Sequence, residues 1–519
     1  MATDAAQAAS LPRRVLINTT SNILGKVVTL GLGFAVTPLL VHQLGAVQYG
    51  LWMLVGSLVG YGSLLEFGIG SAVVKAVAEA SVQRSNDHAR TIIATALWMY
   101  TGLGLLAATV ITGGALLVPV IFNIDPNQHS LTVQLVILSG ISVGLGIPCT
   151  AAPAVLRGLQ RFDLLNVLGT MAALCSTAAT LLVLFLGGDV RSIILINVGV
   201  MLASQAVMVA TITRISPALA LGWRDAQRGL VRSIVAYSAS TFVIHVAGRL
   251  QTQTDELVIG ALLITSQITP YVLARRLAEI PQLLTEQFIK VLFPLAAEVH
   301  STRNTARLQT LYITSTRLTL AVCLPLGCVL LVFGKQLLTI WVGPSYATYS
   351  ALVSILTLAA LIDMSQWPAG MILQGMARQR PLAICSLVAA GVNLGLSIAL
   401  APQLGLIGIA LGTLLPAVGE TFGFVLPYVL HVLGIRWTCV LQKIIVPVLL
   451  PTMLMIGSML GISYMFDADS LPVVFAAVAL GMVAYTGSYL GWSASRYEQQ
   501  LMWQAVAWMR ERSLRDQHR

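Results

Sequence analysis

The chain has 519 residues, of which 57% are hydrophobic and 10% are charged, and its formal net charge is +10. Soluble domains carry about 25% charged residues, so this composition excludes an ordinary soluble enzyme or binding module. Apolar runs of about 20 residues predict an all-α polytopic membrane protein, because strands of a membrane barrel need only about 10 residues of alternating polarity. The runs predict about 14 transmembrane helices.

The distribution of Lys and Arg predicts the topology. With residues 1–14 as a cytoplasmic N-terminus, 21 of the 30 basic residues fall in cytoplasmic segments. Arg191 and Lys335 fall on the other side, and the remaining seven basic residues lie inside spans. This bias follows the positive-inside rule, so both termini are predicted to be cytoplasmic. The net charge therefore reflects membrane topology and does not indicate nucleic-acid binding.

The predicted spans form two halves of six, followed by two further spans. The N-lobe covers residues 15–214, a polar cytoplasmic linker covers 215–230, and the C-lobe covers 231–432. Spans 13 and 14 occupy residues 441–492. The tail, residues 493–519, is amphipathic and basic. It fits a helix lying on the anionic cytoplasmic leaflet and equally fits a solvated helical tail.

A weak internal repeat relates the two halves. The segments VLRGLQRFDLL after span 4 and ILQGMARQRPL after span 10 align Gly158 with Gly375 and Arg161 with Arg378. An even number of spans per half gives both halves the same orientation. The repeat is therefore a parallel pseudo-repeat about an axis along the membrane normal, and the substrate path is expected between the lobes.

Polar residues inside three spans recur at helical spacing. In span 1, Asn22 and Lys26 are four residues apart; in span 7, Gln253 follows Arg249 by four residues and Glu256 follows three later. The charged and amide residues of span 8 also follow steps of three or four. Such residues share a helix face, and charges inside a membrane usually face the bundle interior or a water-filled cavity. We therefore predict a substrate cavity lined by Asn22, Lys26, Arg249, Gln253, Arg275, Arg276 and Lys290.

A cavity rich in Lys and Arg suits a diphosphate group. Both side chains donate charge-assisted hydrogen bonds to phosphate oxygens. Pairing within one helix is the alternative explanation for span 8, because Arg275 with Glu279 and Glu286 with Lys290 are each four residues apart.

Seven acidic residues are candidates for gating or ion coupling. Asp363 and Glu420 lie near the middle of spans 10 and 12, where they can carry a coupling proton or bind sodium, or equally balance the cationic cavity. Asp255 and Glu256 fit either the cavity or the outer membrane interface. The full set is Glu66, Asp255, Glu256, Glu279, Glu286, Asp363 and Glu420.

Sequence motifs of enzymes are missing. There is no GxxxxGK[ST] phosphate loop and no HExxH. Asp467-Ala468-Asp469 fits a polar turn better than a metal-bound sugar-nucleotide site. The six cysteines have neither the spacing of metal ligands nor that of a disulfide framework. We predict a transporter rather than an enzyme, with no metal and no cofactor, and with coupling to a proton or sodium as an open possibility.

Several segments resemble the bacterial flippases of O-antigen, capsule and exopolysaccharide synthesis, which belong to the multidrug/oligosaccharidyl-lipid/polysaccharide exporter (MOP) superfamily. The resemblance rests on PLLVHQLGAVQYGLWMLVGSLVGYGSLLEFGIGSAVVKAVAEA (38–80), QTDELVIGALL (253–263) and GVNLGLSIAL followed by GLIGIALGT (391–413). It implies two six-helix lobes in a V, alternating access, and an undecaprenyl-diphosphate-linked oligosaccharide as cargo. It also implies a place in the bacterial cytoplasmic (inner) membrane, with a glycan polymerase and export machinery as candidate partners.

The resemblance also implies that Lys26 and Arg249 correspond to cavity cations of the related lipid II flippases. The sequence departs from the pattern at His42, where such flippases often carry a basic residue, and at Lys75, which replaces a frequent Arg. The alternatives are a lipid II-type flippase, an ion-coupled multidrug exporter of the same superfamily, and a structural partner of a glycan polymerase. The cationic stripes argue against the exporter, which would use the acids to bind organic cations.

Overall fold

The computed structural model contains helices and turns, without strands, in the residues it describes. These are residues 2–66, 68–83, 87–219, 222–466 and 470–493. The side chains of residues 2–24, 26–27, 63, 65, 81–83, 237, 239–253 and 287–288 lie outside the description.

The α-helices follow one another with short connections. The first ten are α1 (Ala2–Gly62), α2 (Ile69–Gln83), α3 (Asp87–Gly113), α4 (Val118–Ile121), α5 (His129–Cys149), α6 (Ala151–Gly158), α7 (Phe162–Phe185), α8 (Val190–Ile215), α9 (Val231–Leu262) and α10 (Ile268–Ala278). The next ten are α11 (Ile280–Ile289), α12 (Leu292–Ser301), α13 (Thr305–Val342), α14 (Ser350–Gly375), α15 (Arg380–Leu404), α16 (Leu406–Val418), α17 (Leu426–Leu433), α18 (Trp437–Val440), α19 (Val446–Met465) and α20 (Leu471–Ser488). Three π-helical segments continue helices at Gly419–Val425, Leu441–Ile445 and Tyr489–Ser493.

Eleven helices in the described part of the chain are long and apolar enough to cross a membrane. Three further predicted spans fall on other helices. One falls on α2, which has only 15 residues, and another on α10 to α12, which have 11, 10 and 10. The third falls on α9, and many of its side chains lie outside the description. The structure confirms the polytopic helical class. In the described residues 11 helices qualify as spans, and the count of 14 stays a prediction.

Glycine and proline account for the breaks in these helices. Gly45 adopts φ 75° and ψ 164° inside α1, so α1 is two helices joined at a kink, which correspond to predicted span 1 and the start of span 2. Pro281 and Pro294 each lack an N–H and clash with the carbonyl four residues earlier. The polar stripe of predicted span 8 therefore does not lie on one straight helix, because it crosses the breaks between α10, α11 and α12.

Two compact units divide the chain, and the first comprises residues 1–272 with 397–409. Its apolar core lies mainly among α2, α3, α6 and α8. Helices α3 and α5 approach each other backbone to backbone. A Cβ atom added at Gly104 would lie 2.4 Å from the carbonyl oxygen of Gly144. Small residues that permit such close approach are typical of contacts between membrane helices.

The second unit comprises residues 273–396 with 410–519. One apolar core lies among α12, α13, α14 and α17, and another among α13, α19 and α20. The buried Tyr485 hydroxyl donates a hydrogen bond to the Ala321 carbonyl at 3.0 Å. The last two spans therefore pack on α13. Each of the six cysteines is free.

The two segments of the internal repeat end their helices with similar turns. Gly158 and Gly375 both lie at a close helix contact, because added Cβ atoms would be 2.6 Å from the Val77 Cβ and 2.8 Å from the Ala296 Cβ. In both turns a non-glycine residue then adopts the left-handed region, Gln160 with φ 56° in the first and Ala377 with φ 58° in the second. The arginine that follows, Arg161 or Arg378, closes the turn by donating a backbone hydrogen bond.

The predicted linker, residues 215–230, contacts α3 within the first unit. Arg90 pairs with Asp225 at 2.6 Å. The Trp98 indole N–H donates to the Trp223 carbonyl at 3.3 Å, and the two rings meet edge to face. The linker is therefore attached along the N-terminal half of α3.

Candidate functional site

Four residues of the predicted cavity lie outside the described side chains. They are Asn22, Lys26, Arg249 and Gln253. The site is therefore built from the other predicted residues and from the neighbours that the structure gives them.

Asp255 lies near the C-terminal end of α9 and is enclosed by protein. Its side chain is 7% exposed and accepts a hydrogen bond of 2.6 Å from the hydroxyl of Tyr271, which is fully buried on α10. Glu256 is also buried, at 1% exposure. Both acids therefore lie inside the protein rather than on its surface. A buried carboxylate that accepts a hydrogen bond can hold two helices together.

The same end of α9 is attached to the first residues after the kink of α1. The hydroxyls of Tyr61 and Thr254 share a hydrogen bond of 2.9 Å. The Thr269 hydroxyl donates to the Ala46 carbonyl at 2.6 Å. Gly50 allows the close approach, because a Cβ atom there would lie 2.6 Å from the Thr265 carbonyl oxygen. The polar end of α9 is thus part of a hydrogen-bonded junction in the first unit.

Glu66 lies at a break in the helical path of predicted span 2. It is the last residue of a 3-10 turn, Ser63–Glu66, and Gly68 follows with φ 66°. A Cβ atom at Gly70 would lie 3.4 Å from Glu66 Oε1 and 3.3 Å from the hydroxyl of buried Tyr100. The carboxylate and the phenol therefore lie beside the same glycine at the start of α2, where the partial positive charge of a helix N-terminus favours an anion.

The cations of predicted span 8 take part in ion pairs with acids on the same stretch. Arg275 lies 3.5 Å from Glu279, and Lys290 lies 2.6 Å from Glu286. Both pairs have the four-residue spacing that the sequence predicts. Glu279 and Lys290 are about half exposed, and exposed pairs of this kind contribute roughly 0.3–0.5 kcal/mol. Arg276, next to Arg275, is half-buried.

Two acids of the second unit lie on packed elements. Asp363 of α14 is exposed and accepts a hydrogen bond of 3.0 Å from the Trp367 indole. Glu420 lies in the π-helical segment that packs against α14, and it accepts a hydrogen bond of 2.5 Å from Ser386. Short π-helical segments inside α-helices frequently occur at functional sites.

Metal ligation finds little support in the residues described. Among them, no three His, Cys, Asp or Glu side chains converge on one point. The Asn393 amide donates to the Gly412 carbonyl at 3.1 Å and to the Thr413 hydroxyl at 3.2 Å. That amide nitrogen links α15 to α16.

Sequence reasoning missed the partners of these acids. Trp367 follows Asp363 by four residues, so helical spacing alone predicts that contact. Ser386 is 34 residues from Glu420 and Tyr271 is 16 residues from Asp255, so each partner lies on another helix. Periodicity within one helix carries no information about those contacts.

Comparison with known proteins identifies relatives of the whole arrangement. Residues 15–300 match the family described as "Polysaccharide biosynthesis protein". A curated relative, the probable low-salt glycan biosynthesis flippase Agl15 of Haloferax volcanii, is 22% identical over 464 residues, which cover 88% of this chain and 91% of the relative.

Solved structures share the fold at low identity. The inward closed conformation of the lipid II flippase MurJ matches with a TM-score of 0.73 at 12% identity, over 91% of this chain and 98% of that chain. An inward-facing multidrug resistance MATE family transporter of the MOP superfamily matches with a TM-score of 0.66 at 14% identity, over 78% and 95%. The chain therefore has the fold of the MOP-superfamily transporters.

Proposed function

We propose a function from one premise: the chain belongs to the Polysaccharide biosynthesis protein family, which it matches over residues 15–300. On that premise the protein is a flippase that moves a lipid-linked oligosaccharide across a membrane for cell-surface polysaccharide synthesis. The carrier is undecaprenyl diphosphate, which passes from the cytoplasmic to the outer leaflet of a bacterial inner membrane by alternating access. The name of the archaeal relative, a probable glycan biosynthesis flippase, supports a glycan as cargo.

The observation that carries this proposal is the position of the cations. Arg275 and Arg276 lie on the short helix α10, and Lys290 lies in the turn after α11, all inside the family match; the two arginines are at least half-buried. A diphosphate needs charge-assisted donors, which an apolar drug does not. Lys26 and Arg249 complete the cationic lining, and Asn22 and Gln253 supply hydrogen bonds to the diphosphate or the first sugar.

The proposed architecture has 14 spans. The lobes are residues 15–214 and 231–432, arranged as a V and joined by the linker 215–230. Spans 13 and 14 occupy 441–492, and the tail 493–519 lies on the cytoplasmic side, as does the N-terminus. The similar turns after Gly158 and Gly375 support a repeat of two lobes. Glycan polymerase and export machinery are the partners we propose.

Ion coupling is proposed for the acids of the second unit. Asp363 is exposed and Glu420 has a single hydroxyl donor at 2.5 Å, so neither carboxylate has an ion-pair partner among the contacts described here. Binding of a proton or a sodium ion there can couple the conformation of α14 to the transport cycle. Glu66, Glu279 and Glu286 have gating roles in this proposal, through the helix break and the ion pairs described above.

The test is export in a strain that lacks the gene. We expect lipid-linked oligosaccharide to accumulate on the cytoplasmic face and the wild-type gene to relieve the accumulation. The double variant Arg275→Gln with Arg276→Gln should export the oligosaccharide at least tenfold more slowly than wild type and so relieve less of the accumulation. The reason is that each good contact to phosphate contributes about 1.5–3 kcal/mol. Lys335→Gln is the matched control, because Lys335 is exposed and lies outside the predicted cavity.

Two results would contradict the proposal. The first is rescue at the wild-type level by the double variant at equal protein abundance, which would remove the cations from the transport path. The second is drug resistance on expression with no effect on surface glycan, which would favour the multidrug exporter. The same assay with Lys26→Ala plus Arg249→Ala tests the two predicted cavity cations that lie outside the described side chains.

A further inference from the structure

A second cationic site lies in the second unit, away from the proposed transport residues. A cavity of about 480 Å³ opens between the N-terminal part of α13 and the turn that joins α17 to α18. Gln309 and Ile313 line it on one side, and Arg436, Gln442 and Lys443 line it on the other. None of the ten described residues that line this cavity is acidic. We call it the Arg436 pocket.

The walls of the Arg436 pocket are held by specific contacts. The Gln309 amide donates to the Leu433 carbonyl at 2.7 Å, which fixes α13 to the end of α17. Gly434 ends α17 in the left-handed region with φ 66°, as a helix C-terminus commonly requires. The π-helical segment Leu441–Ile445 forms the opposite wall over the buried side chain of Ile444. The pocket is thus a built feature of the unit.

Two cations line the pocket, and a third lies beside one of them. Arg436 and Lys443 are exposed at the pocket, and Arg317 donates to the Lys443 carbonyl at 3.5 Å. Hydroxyl and amide groups of Thr438 and Gln442 add uncharged hydrogen-bonding capacity beside them. This set of donors matches an oxyanion of a phosphate ester, since phosphate oxygens accept charge-assisted hydrogen bonds from Arg and Lys.

The pocket lies where two spans meet the membrane surface. The span Leu406–Leu433 ends and the span Trp437–Met465 begins on either side of it, so only residues 434–436 connect them. Trp437 is 46% exposed next to the pocket, and Leu441 and Val446 are exposed beyond it. Trp is enriched at the level of lipid headgroups, and the apolar side chains provide a surface for acyl chains. The distribution of Lys and Arg assigns this side of the membrane to the cytoplasm.

We propose that the Arg436 pocket binds the phosphodiester headgroup of an anionic phospholipid, with the acyl chains against Trp437 and Leu441. The site is independent of the proposed glycan transport. Basic pockets between membrane helices on the cytoplasmic side suit anionic headgroups. A phospholipid is favoured over a soluble phosphate because the cations adjoin exposed apolar side chains.

The experiment uses the full-length purified protein, delipidated in detergent and titrated with dioleoylphosphatidylglycerol. Native mass spectrometry counts the bound lipid molecules. We expect wild type to bind the first phosphatidylglycerol at least tenfold more tightly than phosphatidylcholine, because each basic residue near an anionic lipid contributes about 1 kcal/mol. Arg436→Gln with Lys443→Gln should lose about tenfold in affinity. Arg378→Gln with Arg380→Gln, two exposed cations outside the pocket, should bind like wild type.

Two further variants keep the result interpretable if the double variant folds poorly. Thr438→Glu adds an acid to the pocket and should weaken binding, whereas Lys443→Arg keeps the charge and should preserve it. Equal binding of phosphatidylcholine, or unchanged binding by both Thr438→Glu and the double variant, would overturn the site. Displacement of the lipid by millimolar inorganic phosphate would also overturn it, because a soluble anion would then be the ligand.

Discussion

Asp255 of the first unit and Asp363 of the second unit are both predicted to be gating or coupling acids, yet their surroundings differ. Asp255 is enclosed, and a fully buried tyrosine donates to it at 2.6 Å. Asp363 is exposed, and its indole donor lies on the same helix at 3.0 Å. An acid that is hydrogen-bonded to a second helix fixes the relative position of the two helices. An exposed acid can instead exchange a proton or an ion without breaking a contact between helices. We therefore expect Asp255 to serve stability and Asp363 to serve transport.

The largest effect should follow from removing the enclosed acid. Asp255→Leu removes the buried carboxylate that accepts the hydrogen bond from the Tyr271 hydroxyl, and a hydrogen bond to a charged group contributes about 1.5–3 kcal/mol. The unfolding free energy in detergent should fall by that amount, while Asp363→Leu should change it by less than about 1 kcal/mol. In a double-mutant cycle with Tyr271→Phe, the interaction free energy between Asp255 and Tyr271 should account for most of this loss. Equal losses of unfolding free energy for Asp255→Leu and Asp363→Leu would contradict the view that Asp255 serves stability and Asp363 serves transport.

The next effect concerns transport. Asp363→Asn combined with Glu420→Gln keeps the shapes of the side chains but removes both charges. We expect export to fall at least tenfold, about 1.4 kcal/mol, with little change in stability. Accumulation of lipid-linked oligosaccharide provides the measurement, and Asp87→Asn, an exposed acid in the first turn of α3, provides the matched control. Wild-type export by the double variant would mean that coupling lies elsewhere.

A third acid, outside the spans, gives a pH-dependent test. Asp189 caps α8 by accepting from the Ser192 N–H at 3.1 Å. Burial raises the pKa of this carboxyl, but hydrogen bonds from Ser192 and Arg191 outweigh it and hold the pKa below its ordinary value of 3.8. Because the folded pKa is depressed, the stabilisation is complete above the unfolded pKa and is lost as pH falls through the folded one. Asp189→Ala should cost about 1 kcal/mol at pH 7, and the gap from wild type should close at acidic pH.

The smallest effect should come from the ion pair on α10. Glu279→Gln removes a partly exposed partner of Arg275 and should change stability by no more than about 0.5 kcal/mol. Export should fall by no more than about twofold, because the gating role proposed for Glu279 rests on one weak ion pair and Arg275 keeps its charge for the substrate. Arg275→Gln should reduce export instead. If Glu279→Gln reduced export as much as Arg275→Gln, the ion pair itself would be the functional unit.

Contacts within one helix were predictable from the sequence. The Arg275–Glu279 and Glu286–Lys290 pairs follow from their four-residue spacing, and the structure confirms both. The helical class follows from the length of the apolar runs. The left-handed residues after Gly158 and Gly375 leave no signal in residue type, since one is Gln and the other is Ala. Only the alignment of the two segments points to their similarity.

Contacts between helices were not predictable. The enclosure of Asp255 depends on the turn 265–267, which brings Tyr271 back beside it, and on Gly50, which lets the two segments approach. The breaks before α11 and α12 depend on prolines inside a stripe whose polar spacing is otherwise regular. Periodicity therefore identified the residues of the stripe, but it wrongly placed them on one continuous helix. The π-helical segment that carries Glu420 has no marker in its sequence either.

The contact between Gly104 and Gly144 has a mechanical consequence. With 2.4 Å from an added Cβ to the opposing carbonyl oxygen, the two backbones have no clearance for a side chain. Sliding one helix by one turn, about 5.4 Å, would bring Tyr100 or Ala108, which share the face of Gly104, against that carbonyl. Helices α3 and α5 must therefore move together as one rigid body in any transport cycle. The bending has to occur elsewhere in the chain, and the kink at Gly45 and the break before α2 are the natural pivots.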